Sequence, residues 1–175
     1  MKRTMIAISA ITLLLFGGAI SLYFILGGNI WLTLAISFAT TCYHFVMRLL
    51  VGFLLLPFFK DKTYNPKKVF RLSRFEQKLY AFLKVKRWKD KMPTFDKAQF
   101  DIKKLTPSQL LTSCKRAQAV HLVIVLFSFL PILASIFLGE FWVFTITSLF
   151  AALIDLIFVV MQRYNGFRLA KLLSR

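Results

Sequence analysis

Apolar positions in this chain gather into four long runs separated by one polar interval. Met5 to Gly28 is almost uninterrupted, and at ~1.5 Å rise per residue a helix of that length crosses a ~30 Å hydrocarbon core. Ile30 to Phe59, Gln118 to Leu138 and Phe141 to Met161 predict three further spans. Gly27-Gly28-Asn29 and Gly139-Glu140 read as tight turns, so the first two spans and the last two should form antiparallel hairpins. Lys2 and Arg3 ahead of an apolar run also suit a secretory leader. That run is too long, however, and carries no clear small-x-small cleavage site, so a retained anchor is expected. The predicted fold class is an all-α polytopic membrane protein: residues 1–175 as one membrane domain, two helical hairpins, and a basic loop over 60–117 between them.

The loop has structure of its own in the pattern. After Asn65-Pro66, residues Val69, Leu72, Phe75, Leu79, Phe82 and Leu83 recur at helical spacing, with Lys67, Arg71, Arg74 and Lys78 on the other side. That describes a basic amphipathic helix lying on a membrane surface. In the following segment, Val85 to Pro93, Trp88 is placed for the headgroup level and Pro93 for stopping a helix. Thr106-Pro107-Ser108-Gln109 has the form of a capping box with proline at the first helical position. The helix it starts should run straight into the third span, carrying Lys115 and Arg116 to the interface.

Composition agrees with lipid as solvent: 58% of the 175 residues are hydrophobic, and 20 are phenylalanine. Charge adds an orientation. The chain holds 24 Lys and Arg against 7 Asp and Glu, a net +17, and 17 of the basic residues fall between Lys60 and Arg116. The two hairpin turns have none, so the positive-inside rule places both termini and the central loop in the cytoplasm. This sidedness accounts for the basic residues without nucleic acid, and no RNA- or DNA-binding motif is present. Two cysteines, Cys42 and Cys114, make neither a disulfide framework nor a metal motif. No metal and no bound cofactor are expected; the expected partners are membrane lipids.

Four ionisable residues stand inside the spans: His44 and Arg48 in the second, His121 in the third and Asp155 in the fourth. Charge is costly in hydrocarbon, so such residues face a bundle interior or a wet cavity. His44 and Arg48, four residues apart, share a helix face. Counted from the expected span ends, Arg48 lies ~13 Å deep and Asp155 ~10 Å, which predicts an Arg48–Asp155 ion pair. With His44 one turn deeper and His121 at ~8 Å, all four are expected to line one polar pocket open to the cytoplasm. The structural alternative is a pair that only fixes helix register.

Where the fourth span ends, Gln162-Arg163-Tyr164-Asn165 concentrates hydrogen-bonding groups, followed by Arg168. This element, together with Lys86-Arg87-Trp88-Lys89, Lys115-Arg116-Ala117 followed by His121, and Arg168-Leu169, resembles the pattern of the glycosyl-4,4′-diaponeurosporenoate acyltransferases over approximately Glu76 to Leu173. The resemblance implies a small multi-pass protein of the bacterial cytoplasmic membrane that esterifies the sugar of a glycosylated carotenoid with a fatty acyl chain, as in the last step of staphyloxanthin synthesis. A different glycolipid or isoprenoid is an open choice for the lipid-linked acceptor.

Acyl transfer from a thioester to a hydroxyl needs a base, donors for the developing oxyanion and an anchor for the carrier. His121 or His44 suits the base, with Asp155 as a further catalytic candidate. Arg163 and Asn165 suit the oxyanion. Arg48, Lys86, Arg87, Trp88, Lys115, Arg116, Gln162, Tyr164 and Arg168 complete the candidate binding set, with acyl-coenzyme A or an acyl-carrier protein as donor. None of the usual acyltransferase signatures (His-x4-Asp, Gly-x-Ser-x-Gly) occurs in the chain. The competing class is a non-catalytic membrane protein that binds anionic lipid or a partner through its basic loop.

Overall fold

The computed structural model describes residues 2–55, 70–93 and 97–173. Among them every regular element is a helix: α1 (Lys2–Leu26), α2 (Asn29–Leu55), α3 (Arg74–Phe82), α4 (Val85–Trp88), α5 (Pro107–Phe127), α6 (Leu130–Leu138) and α7 (Phe141–Leu172), with short 3-10 turns at Lys89–Lys91 and Lys97–Phe100. Four stretches, Lys2–Leu26, Asn29–Leu55, Pro107–Leu138 and Phe141–Leu172, are long and apolar enough to cross a membrane. The far end of the second predicted span, with Pro57 and Phe59, lies outside the described residues, as do Lys60, Asn65, Pro66, Lys67 and Val69.

Turns fall where the glycines are. Gly27 and Gly28 have φ of 69° and 91°, and Gly139 has 69°, left-handed values that cost glycine nothing. The third crossing begins as its capping box requires: Gln109 N–H donates to Thr106 Oγ1 at 3.3 Å, and Thr106 N–H to Gln109 Oε1 at 2.8 Å. It is broken between α5 and α6, a departure from the single predicted helix. Pro131 has no N–H for the Phe127 carbonyl four residues earlier, and the Tyr43 hydroxyl donates to that carbonyl at 2.9 Å. An orphaned backbone acceptor in an apolar layer is thereby satisfied by a side chain. The fourth helix outlasts its apolar run, continuing past Met161 to Leu172.

The chain divides into two compact units. The apolar unit comprises residues 2–54 and 123–155; the basic unit comprises 55–122 and 156–175. In the apolar unit, Thr33 Oγ1 donates to Glu140 Oε1 at 3.1 Å, and Ser and Thr hydroxyls along the helices turn back onto carbonyls one turn earlier, as at Thr12, Ser37, Thr40 and Thr147. The unit also contains a half-open apolar slot of about 460 Å³, with Phe16, Ile20, Ile36, Tyr43, Leu130 and Phe144 in its walls.

In the basic unit two apolar clusters form the core. One joins Phe70, Leu111, Cys114 and Ala170; the other joins Leu72, Tyr80 and Val85, with Leu79, Trp88, Val160, Tyr164 and Phe167 against it. Gly166 makes the first possible. A Cβ there would come within 2.2 Å of the edge of the Phe70 ring, so the helix gives up ~1 kcal/mol of propensity to seat a buried aromatic.

The amphipathic helix of the loop is shorter than its sequence stripe. It starts at Arg74, behind an N-cap at Ser73, and ends at Phe82, where Lys84 turns left-handed at φ 50°. Its apolar residues divide: Leu79 and Tyr80 join the cluster, as does Leu72 ahead of the cap, whereas Phe75 and Phe82 are 73% and 81% exposed.

Candidate functional site

The basic unit holds a polar constellation built on the first turn of α3. Ser73 Oγ accepts from Glu76 N–H at 3.1 Å, and Glu76 Oε2 accepts from Ser73 N–H at 2.8 Å, closing a capping box. The other carboxylate oxygen, Oε1, accepts from Arg163 Nε at 2.5 Å. One side chain thus starts a helix and clamps α7 to it. The Arg163 hydrogen bond, helped by Ser73 and opposed by partial burial, holds the Glu76 carboxyl at about 2 against an ordinary 4.5, so the pair is ionic at any physiological pH. Burial, reinforced by the Glu76 charge, raises the Tyr80 phenol, and Tyr80 meets Tyr164 edge-on with ring centroids 6.2 Å apart.

Two of the residues expected to bind substrate pack beside this clamp. Tyr164 and Trp88 pack on the cluster around Tyr80, and Trp88 Nε1 donates to the Leu83 carbonyl at 2.9 Å. Gln162 is buried, Asn165, Lys115 and Arg116 are half-buried, and Lys86, Arg87 and Arg168 are exposed. His121 stacks face to face on Phe158, centroids 4.8 Å apart and planes 8° from parallel. His121 and the substrate-binding candidates other than Arg48 all belong to this one unit.

His44, Arg48 and Asp155 belong to the apolar unit. There the expected ion pair is present. Arg48 donates from Nε and Nη2 to Asp155 Oδ2 at 2.9 and 2.5 Å, from Nη1 to the His44 carbonyl at 2.9 Å, and from Nη2 to the Ala151 carbonyl at 3.0 Å. Asp155 is 1% exposed. His44 is brought beside the pair through its backbone; its ring is buried edge-on to Tyr43, and neither nitrogen has a hydrogen-bond partner among the described residues. The single expected pocket of four residues thus combined side chains that the structure assigns to two units.

Sequence reasoning passed over Ser73, Glu76 and Tyr80. The first two carried a legible signal, the Ser-x-x-Glu spacing of a capping box. No group of three His, Cys, Asp or Glu among the described residues could hold a metal ion.

A family model described as glycosyl-4,4′-diaponeurosporenoate acyltransferase matches residues 61–175, more than half of the chain. The chain belongs to that family. No curated protein and no solved structure matches it. The matched span contains the clamp, His121 and the Gln162-Arg163-Tyr164-Asn165 element; it leaves out α1 and α2, and with them His44 and Arg48.

Proposed function

We propose that this protein transfers a fatty acyl chain from a thioester donor to a sugar hydroxyl of a glycosylated lipid or isoprenoid, at a site in the basic unit. The observation that carries this reading is the gathering of His121 and the Gln162–Asn165 element into one unit, inside the span that matches the acyltransferase family. His121 is the general base. It accepts the hydroxyl proton as the oxygen attacks the thioester carbonyl; the C–O bond forms, the C–S bond breaks, and the proton passes to the departing thiolate. Arg163, fixed by Glu76, and Asn165 stabilise the oxyanion. Lys86, Arg87, Lys115 and Arg116 hold the phosphates of coenzyme A or of a carrier-protein phosphopantetheine. The positive-inside rule puts these residues, and both termini, on the cytoplasmic side, where such donors are found.

In this reading the Arg48–Asp155 pair is a lock between helices. Its guanidinium is already satisfied by a carboxylate and two carbonyls. The exposed Phe75 and Phe82, flanked by Arg74 and Lys78, favour contact of α3 with an anionic membrane surface. That contact would serve either the enzyme or a non-catalytic lipid-binding protein.

Lipid mass spectrometry on a deletion strain restored with wild type or with His121→Ala separates the two. One glycolipid lacking an acyl chain in both the deletion and the variant is the expected result. An unchanged lipid profile in every strain would refute catalysis and leave lipid or partner binding.

A further inference from the structure

Two amide oxygens in the basic unit, Gln118 Oε1 and Gln162 Oε1, are shielded from solvent and have no hydrogen-bond partner among the described residues. Gln162 as a whole is 5% exposed. Helix register puts them in one layer. His121 of α5 stacks on Phe158 of α7, and Cys114 of α5 shares a cluster with Ala170 and Leu169 of α7, so the two helices run antiparallel with these faces together. Gln118 stands between Cys114 and His121 on its helix, about one turn from each, and Gln162 stands one turn from Phe158 toward Ala170. Both amides therefore flank the His121–Phe158 stack from the same side.

The chemistry of the unbonded atoms selects a ligand class. A hydroxyl in a helix can turn onto the preceding carbonyl, as Thr112 does with Ser108, but an amide oxygen has only lone pairs and must be brought a donor. Phosphate dianions and carboxylates bring none. A sugar brings several, and each hydroxyl can also accept from an amide NH2.

We infer that Gln118 and Gln162 bind hydroxyls of the acceptor's sugar and hold one of them beside His121. This rests on the acyl-transfer reading and adds to it the residues that select a glycosylated acceptor; Gln118 and Gln162 are positioning residues for the base. Loss of either amide leaves a hydroxyl unpaired in a desolvated layer, which discriminates strongly between a sugar and a ligand without hydroxyls.

The test uses the full chain in lipid nanodiscs, with a radiolabelled alkyl glucoside and a fatty acid of equal chain length as probes. Gln118→Leu and Gln162→Leu, apolar changes suited to a membrane helix, should each weaken glucoside binding by about five- to tenfold and leave fatty-acid binding unchanged. Gln162→Glu keeps an acceptor in place and should retain most of the affinity. Equal glucoside affinity in wild type and both Leu variants, no specific glucoside binding by wild type, or a parallel loss of fatty-acid binding would each overturn the inference. Turnover with acyl-coenzyme A in the same discs keeps the two readings apart. Glutamine-dependent glucoside binding without transfer removes the acyltransferase and leaves the sugar site. Transfer with an unchanged KM for the glucoside in the Leu variants removes the sugar site alone.

Discussion

Among the described residues, Arg48 and Arg163 each meet a carboxylate, and the two pairs are built differently. In the apolar unit Asp155 has 2% of its side chain exposed and Arg48 13%, and the remaining guanidinium donors go to the His44 and Ala151 carbonyls. In the basic unit Glu76 and Arg163 are each 24% exposed, and the carboxylate divides its oxygens between a helix cap and the guanidinium. The first arrangement answers desolvation: a charge taken from water is tolerable only when every donor and acceptor finds a partner. The second leaves both ions in touch with solvent, where a pair alone contributes little stability. What it does supply is position, since Arg163 is held relative to its neighbours Gln162, Tyr164 and Asn165.

The comparison breaks most readily at the buried pair. Asp155→Ala should destabilise the protein by ~3–5 kcal/mol, because an unpaired guanidinium is left in an apolar layer. Thermal unfolding in detergent measures it. The double replacement Arg48→Leu with Asp155→Leu should recover most of that loss, and acyl transfer with it. A stable but inactive double variant would make the pair a catalytic group and not a lock.

Glu76→Gln should do the opposite. We expect a stability loss of ~1 kcal/mol and a fall in turnover on the order of tenfold to a hundredfold, as Arg163 loses its fixed orientation. The pH dependence follows from the direction of the shift. The carboxyl titrates lower in the folded protein than its ordinary 4.5, so the clamp contributes fully above that value and fades as pH falls toward about 2. Melting temperatures of wild type and Glu76→Gln should therefore differ at neutral pH and converge in that acid window.

The smallest effect sharpens the picture of the cap. Ser73→Ala should cost ~1 kcal/mol while Arg163 stays bonded to Glu76, so activity should hold. Loss of activity in this variant would tie function to the helix start itself.

Much of this was legible in the sequence, and the physics explains which parts. Apolar runs of membrane-crossing length gave the four helices, and similar depth gave the Arg48–Asp155 pair, because in hydrocarbon a charge has few partners to choose from. The Thr106 box was readable because capping is local. The limits of α7 were not: hydropathy marks where lipid-compatible residues stop at Met161, but the helix runs on to Leu172 through Gly166, which seats the Phe70 ring. Nor was the break before Pro131 placed, since its cost depended on whether Tyr43, far away in the chain, could serve the freed carbonyl. In the basic loop the stripe ending at Leu83 overstated α3 because periodicity alone cannot say which apolar residues meet a neighbour. Tyr80, polar enough to be overlooked, became core, while Phe75 and Phe82 did not.

The Thr33–Glu140 and Arg48–Asp155 bonds join residues separated by the same 107 positions. Equal separation at two rungs, roughly four helical turns apart, means that α2 and α7 advance side by side without slipping. The two bonds act as a ruler with marks at both ends. One residue inserted between the marks in either helix would rotate the far rung by about 100° and lift it ~1.5 Å. No small adjustment at Arg48 or Thr33 could then satisfy both, so these helices should accept many exchanges of one apolar residue for another and very few changes of length.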